Sequence, residues 1–377
     1  MAPYKFYIGT KVFFGRNIIR EHKSELSRYG KKAMIVTGKA SARSCGALKD
    51  IEEALKELTL EYMVYDRVEN NPSLENVSEG GKAARDFGAD LIIGIGGGSP
   101  LDAAKAVAVL AVNTMDPVEL YKNTFHNKPL PVIAIPTTAG TGSEVTPYSI
   151  LTRKDVQMKM SFGNEETFPK LAFLDPLYTE RLPRNVTVDT AVDAFSHAVE
   201  GYLSRRSMPL SDILAVEAIK IFGRYLKPLL ENSIDIDIRE KLLFMSMLSG
   251  IVISHTGTTI VHGMGYALTY FKNIPHGRAN GLLMEEYFKF NYENAKGKID
   301  NIIHALGLRS ISEFGEKMNL LLKERVILTD AEMSIYASMT MKQRSTLNNP
   351  RSVEEKDVVG IFKHDNHIKG TSEHSSI

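Results

Sequence analysis

Short apolar runs alternate with stretches of helical periodicity in the first half of the chain. The apolar runs that predict strands are residues 4–14, 33–37, 61–65, 90–95 and 131–135. The stretches with apolar residues at helical spacing are residues 48–58, 77–87 and 100–110. Strands that alternate with helices in this way indicate a parallel sheet with flanking helices, the architecture of an α/β domain.

The pattern changes after about Pro183, where strand signals nearly disappear. The helices predicted beyond that point are residues 188–203, 210–222, 238–255, 284–292 and 353–362. We therefore predict an α/β domain over residues 1–185 and an all-helical domain over residues 186–377. The polar end of the chain, from Lys363 on, predicts a frayed tail.

One predicted helix, residues 188–203, carries an unusual set of polar side chains. Asp189, Asp193, His197 and Glu200 follow one another at intervals of four, four and three residues, so they share one helix face. The rest of the helix is mostly Ala, Val, Phe and Leu, which predicts burial. Buried carboxylates and imidazoles are costly unless they are paired or hold a cation. Asp193 and His197 can reach one metal ion, or they can form a buried hydrogen bond.

Two loops in the α/β half have the composition of phosphate-binding loops. Gly96–Gly98 separate a strand from a helix, with Ser99 at the predicted N-cap and Pro100 at the first helical position. Glycines let the backbone approach a ligand, and the N–H groups of a helix start suit a phosphate. The second loop follows the next strand and offers the hydroxyls of Thr137, Thr138, Thr141 and Ser143. Two such loops at the ends of parallel strands predict a nucleotide bound across the carboxyl edge of the sheet. The alternative is that both loops are only tight turns.

Composition excludes several classes of protein. Apolar residues make up 43% and charged residues 24% of the chain, and 46 basic residues balance 45 acidic ones. With nearly equal numbers of positive and negative residues, the chain has no strong net electrostatic field that would attract nucleic acid or a membrane. We therefore expect neither as a partner. Cys45 is the only cysteine, which excludes an internal disulfide and a Cys-rich zinc site. The N-terminus lacks the pattern of a signal peptide, and we expect a cytoplasmic protein.

Two further histidines strengthen the case for a metal site. His262 and His276 each precede a glycine, and each stands beside apolar sequence. With Asp193 and His197 they would supply three nitrogens and one oxygen, a set that suits Fe²⁺, Zn²⁺ or a similar first-row ion. The alternative is that both are ordinary core or loop histidines.

Five motifs occur in a fixed order along the chain. They are G-G-G-S-P-L-D-A-A-K, P-T-T-A-G-T-G-S-E-V-T, D-A-F-S-H-A-V-E-G-Y, H-G-M-G-Y-A-L and P-H-G-R-A-N-G. With these motifs the chain resembles the iron-containing (group III) alcohol dehydrogenase family, and among its members the butanol dehydrogenase-like ones. The resemblance extends from Phe13 to about Asn349. It implies a dehydroquinate synthase-like architecture, with an N-terminal dinucleotide-binding domain and a helical C-terminal domain.

The resemblance also implies roles for individual residues. By motif, the metal ligands are Asp193, His197, His262 and His276. The residues implied to contact the cofactor are Gly96, Gly97, Gly98, Ser99, Asp102, Thr137, Thr138, Thr141 and Lys159.

The chain departs from the family pattern at a position credited with proton transfer. Many members carry a second histidine four residues after the third ligand, whereas this chain has Tyr266 there. A tyrosine, with a reference pKa near 10, is a poorer proton shuttle at neutral pH. His255, seven residues before His262, is the other candidate for this catalytic role, and a structural role is its alternative.

A second departure concerns the cofactor. Relatives that use NAD carry an aspartate after the strand that ends near Thr37, and this chain has Gly38. Such an acid binds the ribose 2′-hydroxyl and repels a 2′-phosphate. Gly38 removes that charge, while Lys39, Ser41 and Arg43 add donors. We therefore expect NADP(H) to be preferred over NAD(H).

The expected activity is hydride transfer between NADP(H) and a primary alcohol or its aldehyde. The resemblance implies one divalent metal, with Fe²⁺ expected first and Zn²⁺ as the alternative, acting as a Lewis acid on the substrate oxygen. A homodimer or larger homo-oligomer is expected. The competing hypotheses are a polyol dehydrogenase, a lyase of the dehydroquinate synthase type, and a nucleotide-binding regulator with a structural metal.

Overall fold

The structure of the chain is a computed structural model, and it describes residues 3–364 and 368–370. The chain folds into two compact units. The first, which we call the sheet unit, contains Tyr7–Pro183 and Asp235–Gly250. The second, the helical unit, contains the residues up to Phe6, Arg184–Ile234 and the described residues from Ile251 on. Residues 235–250 thus group with the sheet unit although they follow a helical segment.

The elements are numbered in chain order. The strands are β1 Lys11–Phe14, β2 Lys32–Thr37, β3 Glu61–Tyr65, β4 Leu91–Gly96, β5 Val132–Pro136, β6 Ser149–Arg153, β7 Met158–Phe162, β8 Leu171–Leu174, β9 Val326–Leu328 and β10 Ile368–Gly370. The α-helices are α1 Ile18–His22, α2 Ser41–Ser44, α3 Ala47–Glu57, α4 Leu74–Phe87, α5 Gly98–Val112, α6 Arg184–Leu203, α7 Pro209–Glu231, α8 Ile236–Thr256, α9 Ile260–Lys272, α10 His276–Ala305, α11 Ile311–Leu322, α12 Asp330–Met341 and α13 Glu355–His364.

A six-stranded sheet forms the centre of the sheet unit. Its strands are all parallel and run in the order β1-β8-β5-β4-β2-β3. Alternate residues of β2 enter two separate apolar cores. Met34 and Val36 pack into one core, and Ala33 and Ile35 pack into the other. Both faces of the sheet are therefore covered, as a parallel sheet requires. The predicted α/β architecture is confirmed.

The register of β4 and β5 places the two glycine- and threonine-containing loops side by side. Gly96, the last residue of β4, lies opposite Pro136, the last residue of β5. The backbone N–H of Thr137 then donates to the carbonyl of Gly96 at 2.9 Å. Because the strands are parallel and adjacent, both loops leave the sheet at the same edge.

The helical unit is organised on α6, whose residues are buried from Thr187 to Leu203 with a single exception, Thr190. The helix starts at Arg184, about one turn earlier than predicted. The domain is mostly helical as predicted, but β9 and β10 form a parallel pair, so the all-helical prediction is wrong there. Strands of three residues are too short for alternation to reveal. Of the predicted frayed tail, Lys363 and His364 instead end helix α13 and residues 368–370 form strand β10, while the rest of the tail lies outside the described residues.

In the part of the chain that the structure describes, no single helix has the length and apolar character needed to cross a membrane. The helices α8 and α9, bent by 112° at their junction, pass that test of length and composition only as a pair.

Candidate metal and cofactor sites

Three residues from three helices of the helical unit converge on one point. Asp193 of α6, His262 of α9 and His276 of α10 each offer a ligand atom, and these atoms lie within 4.8 Å of one another. Asp193 and His262 are 4% and 2% exposed, and His276 is half-buried. Atoms bound to one first-row ion at about 2.0–2.2 Å lie no more than about 4.4 Å apart, so a shift of a few tenths of an ångström brings these three atoms to ligand spacing. Imidazole and carboxylate donors at this spacing fit one divalent metal ion.

The predicted fourth ligand, His197, lies against this group. Its ring stacks on that of His262, with the ring centroids 4.4 Å apart and the planes 24° from parallel. His197 is 6% exposed, one helix turn after Asp193. The structure therefore brings all four predicted ligands together, three of them with ligand atoms at metal-binding spacing.

Asn280, which the sequence did not single out, lies among the same ligand atoms. Its amide nitrogen is 3.2 Å from Asp193 Oδ1, 3.2 Å from His262 Nε2 and 3.4 Å from His276 Nε2. The side chain is fully buried, and its Oδ1 has no hydrogen-bond partner among the described residues. The signal that could have found it is its position one helix turn after His276, on the same face.

A carboxylate holds the other side of the His262 ring. The carboxylate of Glu200, 0% exposed, lies in direct contact with His262 Nδ1. Its Oε1 also accepts from the backbone N–H and the hydroxyl of Thr259, at 2.8 and 2.7 Å. Burial raises the pKa of Glu200, but its contact with His262 and the hydrogen bonds from Thr259 together lower that pKa below its usual range. Glu200 is therefore an ionised acceptor, although the sequence predicted only its place on the ligand-bearing helix face.

The two candidates for proton transfer occupy different surroundings. The ring of Tyr266 stacks on that of His276, with centroids 4.9 Å apart, and meets the ring of His262 edge-on at 6.4 Å. His255 instead stacks on Phe6 at 4.2 Å, and its Nδ1 lies 2.8 Å from the carbonyl oxygen of Ile251. Tyr266 is thus packed directly on a candidate metal ligand. The ring of His255 is held by contacts near the end of α8.

In the sheet unit, the glycines of the first loop are required by the backbone conformation at Gly96 and by close packing against the second loop at Gly97 and Gly98. Gly96 has a φ of +149°, a conformation that favours glycine. A Cβ at Gly97 would lie 3.2 Å from Thr138 Oγ1, and one at Gly98 would lie 2.7 Å from Thr141 Cγ2. The predicted cofactor residues of the two loops therefore contact each other.

The start of α5 differs from the prediction. The helix begins at Gly98 with Gly97 at its N-cap, so Ser99 lies inside the first turn and its predicted capping role is wrong. Ser99 does not cap the helix because its Oγ accepts a hydrogen bond from the backbone N–H of Asn71 instead, at 3.2 Å. Asn71 Oδ1 in turn accepts from Lys159 Nζ at 2.6 Å. Two predicted cofactor residues, Ser99 and Lys159, are thus joined through Asn71.

A buried cluster of charges fastens the second loop to α5. Asp102, 6% exposed, accepts from the hydroxyl of Ser143 at 2.6 Å. Lys105, one turn later, donates to Ser143 Oγ at 2.7 Å and to the carbonyl of Tyr148 at 2.6 Å. Burial lowers the pKa of Lys105 to about 8, against the opposing charges of Asp102 and Glu144. The sequence did not predict Lys105, because a lysine on a helix is usually exposed.

The residues predicted to choose between the two cofactors lie where β2 ends. Gly38 follows β2 directly, and a Cβ there would meet the carbonyl oxygen of Val68 at 3.6 Å, an ordinary contact. Lys39 and Ser41 are exposed. Arg43, the third donor of this loop, forms an ion pair of 3.3 Å with Asp66. The loop therefore carries both basic groups and one carboxylate.

A parallel sheet with two loops at one edge, together with a helical unit bearing a histidine–carboxylate cluster, is typical of metal-dependent dehydrogenases that bind a dinucleotide. Comparison with known proteins agrees. Residues 9–176 match the family model described as iron-containing alcohol dehydrogenase, and residues 187–365 match that of the C-terminal domain of the Fe-containing alcohol dehydrogenase family.

Individual relatives are similar over nearly their whole length. Alcohol dehydrogenase 4 of Schizosaccharomyces pombe is 30% identical, over 96% of this chain and 89% of its own. Lactaldehyde reductase of Escherichia coli K12 is 30% identical, over 95% and 98%. A solved structure of an iron-containing alcohol dehydrogenase of Thermotoga maritima is 40% identical, with a TM-score of 0.90 and coverage of 96% and 98%.

The chain belongs to the iron-containing alcohol dehydrogenase family, as its motifs predicted. Membership supports oxidation and reduction at a CH–OH group with a nicotinamide cofactor and a divalent metal, for which iron is typical in this family. The placement among butanol dehydrogenase-like members stays a prediction.

Proposed function

We propose that this protein is a metal-dependent alcohol dehydrogenase and aldehyde reductase that transfers hydride between NADP(H) and a small primary alcohol or aldehyde. The observation that carries the proposal is the convergence of Asp193, His262 and His276, with His197 stacked on the same group. These four residues would hold one divalent ion. Fe²⁺ is the expected ion, and Zn²⁺ is the alternative. When bound, such an ion supplies Lewis acidity toward the oxygen of the substrate.

The residues around this group would bind and orient the substrate and exclude water from it. Burial of Asp193, His197 and His262 removes water from one side of the site. Tyr266, stacked on His276, would line the place where the alcohol oxygen lies and can hydrogen-bond to it. The stacking favours Tyr266 over His255 as the residue that contacts substrate. The redox chemistry itself belongs to the nicotinamide.

The proposed preference for NADP(H) rests on Gly38, with Lys39 and Ser41 beside it. A neutral residue at position 38 leaves a 2′-phosphate without a repelling carboxylate, and two exposed side chains can donate to it. NAD(H) is the competing choice. A 29% identical relative is named an NAD-dependent methanol dehydrogenase, and Asp66 beside Arg43 brings one carboxylate to this loop.

The substrate is proposed to be small, because relatives of about 30% identity are named lactaldehyde reductase and 1,3-propanediol dehydrogenase. A homodimer or larger assembly and a cytoplasmic location stay predictions. The test is a panel of short aldehydes and alcohols with NADPH and with NADH, run on protein of measured metal content. Absence of turnover with every member of the panel, on protein loaded with iron or zinc, would leave the regulator hypothesis in its place.

The metal site is tested by His276→Ala. We expect this variant to lose metal and turnover while its affinity for NADPH, measured by fluorescence titration, stays near that of the wild type. The reason is that His276 belongs to the helical unit, whereas the two nucleotide loops belong to the sheet unit. Normal metal content with full activity would remove His276 from the ligand set.

A further inference from the structure

The two nitrogens of the His262 ring face partners of opposite character. Nδ1 lies against the carboxylate of Glu200, which only accepts hydrogen bonds. Nε2 lies 3.2 Å from the amide nitrogen of Asn280, which only donates, and 3.8 Å from Asp193 Oδ1. The contact with Glu200 fixes one tautomer, with the proton on Nδ1, and this tautomer directs the lone pair of Nε2 at the ligand group.

The carboxylate of Glu200 is itself held in place from several sides. Its Oε1 accepts from the N–H and the hydroxyl of Thr259, and the N–H of His262 lies 3.3 Å from the same oxygen. The hydroxyl of Tyr287, a fully buried residue of α10, is 3.0 Å from Thr259 Oγ1. The carboxylate of Glu200, a residue of α6, therefore lies at the N-terminus of α9. There the N–H groups without helical partners and the helix dipole favour a negative charge.

We propose that Glu200 is a positioning residue of the metal centre, which holds His262 in the tautomer and ring orientation that present Nε2 as a ligand. It lies one helix turn beyond His197 and two beyond Asp193, so a single helix supplies two candidate ligands and the orienting acid of a third. Histidines that bind metals commonly donate their second ring N–H to such an acceptor, which raises the basicity of the ligand. The inference rests on the proposed metal site.

A purely structural reading assigns Glu200 to the capping of α9 alone. The two readings differ in what they predict for the metal. If Glu200 acts through His262, its loss changes the affinity and the electronic environment of a bound ion. If it only caps α9, its loss lowers the stability of the fold and leaves the properties of the bound ion unchanged.

The test uses the full chain loaded with Co²⁺, whose visible absorption reports the ligand geometry. For Glu200→Gln we expect a dissociation constant, measured by chelator competition, that is roughly 10- to 100-fold higher than in the wild type, with shifted absorption bands. Glu144→Gln is the matched control, because Glu144 is also a fully buried glutamate but belongs to the sheet unit. It should leave both readouts unchanged.

A double-mutant cycle separates the two readings further. In a His262→Ala background, Glu200→Gln should cause no additional loss of Co²⁺ affinity. In a His276→Ala background, it should still cause one. Equal losses in both backgrounds would overturn the proposal, because they would show an effect on the fold instead of one through His262.

Thr259→Val gives a second variant in case Glu200→Gln does not fold. It keeps the carboxylate and removes one of its hydrogen bonds, so we expect shifted Co²⁺ bands with a smaller loss of affinity. Wild-type affinity and spectrum in the variants would overturn the inference while leaving the metal site intact. Failure of the wild type itself to bind Co²⁺, Zn²⁺ or Fe²⁺ would instead overturn the proposed function.

Discussion

At Gly38 the structure leaves room for a side chain, since an added Cβ would make one ordinary contact with Val68. We expect Gly38→Asp to move the cofactor preference from NADPH toward NADH. A carboxylate gains a hydrogen bond to the 2′-hydroxyl and repels the 2′-phosphate by roughly 4 kcal/mol at about 4 Å and an effective dielectric near 20. Solvent screening at this exposed loop reduces the effect to roughly 1–3 kcal/mol.

This energy predicts a fall of roughly 5- to 150-fold in the ratio of kcat/KM for NADPH to that for NADH. The preference should relax instead of reversing fully, because Lys39 still attracts the phosphate. Gly38→Asn, of nearly the same size but neutral, should leave most of the ratio unchanged. A wild type that already prefers NADH would refute this interpretation of the loop, and so would equal ratios in the Asp and Asn variants.

At the scale of elements, the approach of α10 to α6 depends on Gly277. A Cβ at this position would lie 1.9 Å from the carbonyl oxygen of Asp189 and 2.7 Å from the Cβ of Asp193. Both atoms belong to α6 and cannot move without moving the helix. We therefore expect Gly277→Ala to lower the free energy of unfolding by roughly 1–3 kcal/mol and to reduce metal content, measured by urea denaturation and metal analysis.

The same helix offers a matched control. Gly297 of α10 is exposed, and an added Cβ there would meet no atom within 4 Å. Gly297→Ala should therefore raise stability by up to about 1 kcal/mol through helix propensity, with metal content unchanged. If both alanine variants behave alike, the contact between α10 and α6 is not what position 277 controls.

Elements with a strong periodic pattern were predicted well, and those without one were not. The spacing in α6 identified a buried helix with Asp193 and His197 on one face, and β3 was predicted with its observed bounds. The helix α9 was not predicted, since glycines on both sides of Met264 interrupt its apolar pattern. The antiparallel pair β6–β7 was also missed, although M-K-M-S-F in β7 alternates between apolar and polar residues, because each strand has only five residues.

For the whole molecule, the order of motifs identified the family, but contacts distant in sequence could not be predicted. Asp193 and Asn280 are separated by 87 residues and Glu200 and Thr259 by 59, so nothing local in the sequence indicates their contact. The buried Lys105 shows the same limit. Its partners lie on a loop about forty positions later, and the loop reaches it only because β4 and β5 are adjacent.

The stability of the whole molecule should depend on pH through Glu144. This residue is 1% exposed, its Oε1 has no hydrogen-bond partner among the described residues, and burial raises its pKa to about 7. Because the pKa is higher in the folded chain than in the unfolded one, the contribution to stability is full below about pH 4.5. It is lost as the pH rises through about 7.

Glu144→Gln removes this dependence. Relative to wild type, its free energy of unfolding should rise by roughly 2–3 kcal/mol between pH 5 and pH 8, since one pKa unit corresponds to about 1.4 kcal/mol. Urea denaturation at the two pH values measures the difference, with the exposed Glu57→Gln as control. A constant difference between the two proteins would show that Glu144 does not titrate with a raised pKa.

The close packing of the loops that follow β4 and β5 has a consequence for how such proteins can change over generations. The space that a methyl group would need at Gly98 is already filled by the Thr141 methyl, and the space at Gly97 is bordered by Thr138. A larger residue in the first loop therefore becomes acceptable only after the second loop has become smaller. The two loops, which a helix and a strand separate in the chain, are therefore expected to change together. A single substitution to a larger residue creates a steric clash that a paired substitution avoids.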